Sequence, residues 1–163
     1  MPDGPAIANN TPLVALWVLG RLDLLRDLYG EVLVPEAVGQ EFVATETALR
    51  QATLDSSPWI KVVTLDNPQH ARVYVGLDQG EAEVLALAEE REAGLVIVDE
   101  RKGRRYANRL DIPLTGTLGL LLLAKERGLV ALLAPLLEEL QNAGLYLDPA
   151  LLDRVLALAG ESM

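Results

Sequence analysis

Apolar residues fall in short blocks parted by glycine, proline or charge, and two kinds of block alternate along the chain. The first kind is a brief continuous run: Ala6-Ile7-Ala8, Glu31-Val32-Leu33-Val34, Trp59-Ile60-Lys61-Val62-Val63-Thr64 and Leu95-Val96-Ile97-Val98. Runs of this length predict strands, and the last of them, rich in β-branched residues, one buried on both faces. The second kind repeats every three or four residues. Leu13, Leu16, Trp17 and Leu24 predict a helix broken at Gly20, its second piece ending at Gly30. Thr11 followed by Pro12 predicts the start of that helix: a capping hydroxyl, then proline at the first helical position. Pro35 opens a helix through Val43, and Gly80 precedes one over Glu81 to Ala93 with Gly94 as its stop.

A polar helix is predicted over about 101–110, then a short strand near Ile112 to Thr115. From Thr117 onward three helices are parted by Gly128, Gly144 and Gly160. Residues 44–80 are the least regular part, punctuated by Ser56-Ser57-Pro58. Strands alternating with helices imply βαβ units, hence an α/β fold with a mostly parallel sheet. There is no internal repeat and no credible linker, and 163 residues suit a single domain over 1–163.

Composition narrows the chemistry. Half the residues are apolar but only 4% are aromatic, so Leu, Val and Ala must build the core. With no cysteine and one histidine, His70, any bound metal must be held by oxygen, which points to magnesium or manganese. A net charge of −10 argues against a passive nucleic-acid coat protein but not against an enzyme with locally concentrated bases. Met1-Pro2-Asp3-Gly4 shows no basic leader before an apolar run, and Lys125-Glu126 end the apolar stretch from Leu118 well short of a membrane span. A cytoplasmic protein with no membrane partner is the expectation.

Leu95-Val96-Ile97-Val98-Asp99-Glu100 is the most informative stretch, a buried strand ending on two acids. Ligands of open α/β sheets bind beyond the carboxyl ends of the strands, which makes Asp99 a site candidate. The plainer reading, that Asp99 accepts backbone N–H bonds as a helix cap, stays open. Glu81 shares a helical stripe with Val84, Leu85 and Ala88, while Glu41 lies three residues from Val38 on the inward side of its helix. Glu36 is turned away, and Glu89, Glu90 and Glu92 read as a solvated end. The alternatives are a first-turn acid complementing the helix dipole for Glu81 and a rim salt bridge for Glu41. Three inward carboxylates from separate segments would repel one another unless a divalent cation stood among them.

Such a cation suits phosphodiester hydrolysis. Arg101, Lys102, Arg104, Arg105 and Arg109 crowd the positions after Asp99; residues 101, 105 and 109 form one helical line with 104 beside it. That stripe could hold the phosphates of a nucleic-acid strand, or be an ordinary solvated face. No glycine-rich phosphate loop follows any strand. Trp17 and Trp59 read as core or interface anchors, His70 as a surface residue, and the leucines of 120–123 and 132–140 as core and dimer packing.

Taken in order, Ile7-Ala8-Asn9-Asn10-Thr11-Pro12-Leu13, Val34-Pro35-Glu36-Ala37-Val38 leading to Glu41, Gly80-Glu81-Ala82-Glu83, Val98-Asp99-Glu100-Arg101-Lys102-Gly103-Arg104 and Thr115-Gly116-Thr117-Leu118-Gly119 resemble the PIN-domain nucleases. The likeness runs from about residue 6 to 160 and is nearest the branch related to VapC toxins. It implies a three-layer α/β/α sandwich, Mg²⁺- or Mn²⁺-dependent cleavage of RNA, a homodimer and a small antitoxin partner. By position it implies that Glu41, Glu81 and Asp99 are catalytic metal-binding acids, with Thr11 as a polar group beside them; in such a nuclease Arg101, Arg104 and Arg105 of the basic stripe are expected to hold RNA phosphate. The first aspartate of the family pattern falls at Asn9, which offers a metal an oxygen but no charge. Glu83 and Glu100 are the acids that could substitute, although Glu83 is off the stripe. A weak or inactive module that binds an antitoxin or a nucleic acid is therefore the alternative reading.

Overall fold

In the computed structural model, residues 4–161 are described; the leader reading at Met1 to Asp3 lies outside them. Five strands form one all-parallel sheet: β1 (Ala6–Ala8), β2 (Val32–Pro35), β3 (Ile60–Val63), β4 (Leu95–Ile97) and β5 (Leu114–Thr115), in the order β3-β2-β1-β4-β5. Helices flank the sheet, giving the expected α/β/α sandwich. The chain steps from β1 to β2 to β3 in one direction, then returns across the sheet to β4 and continues to β5. Right-handed crossovers in opposite directions place the intervening helices on opposite faces. The runs Ile7-Ala8, Val32, Val34 and Val96-Ile97 are fully shielded because both faces are covered, which is why their sequence is continuous rather than alternating.

The helices are α1 (Asn10–Val18), α2 (Asp23–Tyr29), α3 (Glu36–Phe42), α4 (Thr47–Asp55), α5 (Gln79–Glu90), α6 (Arg101–Arg109), α7 (Thr117–Glu126), α8 (Ala134–Asn142) and α9 (Pro149–Leu158). A 3₁₀ turn spans Pro68–Val73. Helix α5 packs across β1, β2 and β4 and buries Ala82 and Val84 to Ala88 nearly all round. No helix among the described residues is long and apolar enough to cross a membrane.

Three local readings change. Helix α1 starts at Asn10, with Asn9 in extended backbone as its first flank; Pro12 is therefore the third helical residue, still in the turn where a missing N–H leaves no bond unmade. Helix α5 starts two residues early, because the Asp78 carboxylate accepts from Glu81 N at 2.8 Å and caps it. Helix α4 interrupts the stretch read as irregular. It buries none of its residues, so no apolar stripe marks it; Arg50 holds it, with Nη1 on Phe42 O at 3.0 Å and its guanidinium 4.4 Å from the Trp17 ring centre.

Glu90 is not a solvated end. Its carboxylate accepts from Asp66 N and Asn67 N at 2.7 and 3.1 Å and faces His70, pinning the loop before α5.

Candidate active site at the carboxyl edge of the sheet

The strand order changes direction between β1 and β4, and ligands of open α/β sheets bind beyond the carboxyl ends of the strands at such a point. Ala8 pairs with Ile97, and Asn9 N donates to Ile97 O at 3.0 Å. Asn9, 4% exposed, therefore stands beside Val98 at this edge, one residue from Asp99 in register. Thr11 lies in the first turn of α1, partly exposed.

Helices α3 and α5 bring Glu41 and Glu81 to the same edge. They approach closely because residue 80 is glycine: a Cβ there would stand 3.2 Å from Glu41 Oε2 and 3.3 Å from Val38 Cγ2. The raised titration of Glu41 has burial as its main cause, then the charges of Asp78 and Glu100; the Asn10 side chain works the other way, favouring the carboxylate. Glu81 is pushed further, to about 7, by burial first, then by its hydrogen bond with Asp78 and the charges of Asp78, Glu100 and Glu41. Each charged group acting on Glu81 is an acid. Asn10 Oδ1 is buried near Glu41 with no hydrogen-bond partner.

The structure thus unites Glu41 with Glu81 and adds two acids. Asp78 had a signal in the sequence, since Asp-x-x-Glu ahead of an apolar run is a helix-start pattern. Glu100, named above only as a substitute, flanks the first turn of α6 with its side chain exposed. Asp99 is bound to α7: Oδ1 accepts from Thr117 N at 2.8 Å and Oδ2 from Thr117 Oγ1 at 2.6 Å. Glu83 stays off the stripe and accepts from Ala37 N at 3.1 Å, capping α3. Among the described residues, no three His, Asp or Glu side chains stand in an arrangement that would by itself hold a metal ion.

The basic helix is divided. Gly103 and Ala107 form its buried face, whereas Arg101, Lys102, Arg105 and Arg109 are exposed. Arg104 is turned inward, its Nη1 donating to Val98 O at 2.9 Å, so this base serves the protein's own backbone. Trp17 packs edge-on against Phe42, and Trp59 Nε1 donates to Leu22 O at 3.0 Å, both as anchors.

Residues 5–161 match a family model described as a PIN domain. No curated protein matched the chain.

Proposed function

The chain belongs to the PIN-domain family, a nuclease fold, and from that premise we propose that it is a metal-dependent endoribonuclease, the toxin of a toxin–antitoxin pair. The observation carrying this reading is the acidic group of Glu41, Asp78, Glu81 and Glu100 at the sheet's carboxyl edge, where every charged group acting on Glu41 and Glu81 is itself an acid. Like charges crowded together are unfavourable unless a ligand supplies a counter-charge. In type the donors suit a hard divalent cation, since they are all oxygen, they carry excess negative charge and the unpartnered Asn10 Oδ1 lies beside Glu41; uptake would have to draw them together, because among the described residues no three stand in a holding arrangement. Glu41 and Glu81 would hold Mg²⁺ or Mn²⁺ with Asp78 and Glu100, and Asn9 would offer a neutral oxygen. Bound there, the cation would polarise the phosphodiester and acidify a water.

The protein's own residues do the rest. Arg101 and Arg105, exposed on the helix that follows Glu100, hold flanking phosphates of the RNA, and Thr11 offers a hydroxyl from the first turn of α1. As further partners we propose a second copy of the chain and a small antitoxin, and as location the cytoplasm.

Cleavage of a single-stranded RNA by the full chain in Mn²⁺ tests this. Chelator, Glu41→Gln and Glu81→Gln should each bring cleavage to background, and cleavage that survives all three would end the proposal. One observation favours a second reading, a binding module that does not cut: Asn9 stands where the family resemblance expects a carboxylate. Asn9→Asp separates the two. A gain in Mn²⁺ affinity and cleavage supports the nuclease; no change in either supports the module.

A further inference from the structure

We propose that Asp99 is a positioning residue: it clasps the first turn of α7 to the carboxyl end of β4 and thereby sets where Glu100 stands. The inference rests on the metal-dependent reading above, and it moves the working acid of this loop one residue along the chain.

The geometry is specific. Both Asp99 oxygens are taken by Thr117, one by its N–H at 2.8 Å and one by its hydroxyl at 2.6 Å. The bond crosses from the end of β4 to the first residue of α7, two positions beyond β5, joining two adjacent strand ends through side chain rather than sheet. The space is tight: a Cβ on Gly116 would stand 2.5 Å from Asp99 Oδ1 and 3.0 Å from Arg104 Nη1. The residues on either side of Asp99 are also tied. Val98 O accepts from Arg104 Nη1 at 2.9 Å, and Glu100 O accepts from Arg104 N at 3.0 Å. Residues 98–100 are thus held by backbone and side chain alike, and of the two acids Glu100 is the one left with an exposed side chain. Supporting groups of this kind orient the residues that touch a cation without touching it themselves.

The test compares wild type with Thr117→Val, Asp99→Ala, Asp99→Asn and Glu100→Gln in the full chain. It reads Mn²⁺ affinity by titration calorimetry and, in chelator, hydrogen exchange of the Arg104 amide. Thr117→Val and Asp99→Ala should each weaken Mn²⁺ binding roughly tenfold, with the double variant no weaker than either. Both should speed Arg104 exchange. Asp99→Asn can still accept from Thr117 N and can donate to its hydroxyl, so it should stay within about threefold of wild type. Glu100→Gln should weaken Mn²⁺ without changing the exchange. Asp99→Asn falling as far as Glu100→Gln, with Thr117→Val unaffected, would make Asp99 a direct ligand and overturn the proposal. Unchanged Arg104 exchange in Thr117→Val would overturn it as well. If wild type takes up no Mn²⁺, the nuclease reading fails while the exchange result still decides the clasp.

Discussion

Glu81 and Glu161 are the same residue type in opposite circumstances. Glu161, its side chain 7% exposed, sits beyond α9 and is saturated with donors: Leu133 N at 2.8 Å, Ala134 N at 2.9 Å and Lys125 Nζ at 2.7 Å. Burial alone would raise its titration, but the Leu133 amide, Lys125 and the Ala134 amide outweigh it and hold the carboxyl down at about 2. Glu81 has acids for neighbours and titrates at about 7. Where an acid serves the fold, the protein surrounds it with N–H groups. Where the acids cluster at the sheet edge, Glu81 has further acids about it instead, and under the function proposed above a bound cation compensates them.

Removing each acid should therefore move stability in opposite directions. The largest effect is expected from Glu161→Ala, which uncaps α8 and strands Lys125: a loss of about 2–3 kcal/mol, read from the urea midpoint. A variant as stable as wild type would show the clasp to be ornamental. Next, Mn²⁺ at a hundredfold excess over its Kd should stabilise the chain at pH 8 by about 2.7 kcal/mol in thermal unfolding. Glu81→Gln should abolish that rise. In chelator the same variant should match or exceed wild-type stability, because a repulsion has been removed; destabilisation there would mean that Glu81 serves the fold.

The pH dependence sharpens the contrast. Glu161 titrates lower in the folded chain than its ordinary 4.5, so its contribution is complete above about pH 4.5 and is lost as pH falls toward 2. Glu81 is raised in the folded chain, which then binds the extra proton; its contribution weakens as pH climbs from 4.5 to about 7. Glu161→Ala should flatten the acid limb of the stability curve in chelator, and Glu81→Gln should flatten the decline above it. The smallest effect falls on the surface. Arg101→Ala with Arg105→Ala should leave stability within about 0.5 kcal/mol. It should lower the salt dependence of RNA binding by about one unit of slope per arginine; an unchanged slope would remove α6 from the RNA path.

Much of the fold was legible in the chain. The strand runs and the glycine stops follow from local apolar period and backbone freedom, and β1, the division of the last third into three helices and the parallel sheet came from them. The exception among the helices is instructive: α4 buries no side chain and leaves no period to read. Of the site, Glu41 and Glu81 could be placed on inward helix faces, and Asp78 carried a capping signal. The roles of Glu83, Glu90 and Glu161 could not be seen, because each accepts from backbone far along the chain, at Ala37, at Asp66 and Asn67, and at Leu133 and Ala134.

The order of residues alone determined the parallel sheet, the edge at which chemistry would gather and the need for oxygen donors. Those conclusions depend on residue type and on distances of a few positions. Which of two adjacent acids after β4 is bound to α7, and which is left with an exposed side chain, was decided only when β4 and β5 came side by side. Asp99 and Glu100 are interchangeable on paper, and nothing local records that Thr117, eighteen positions away, would claim one and leave the other.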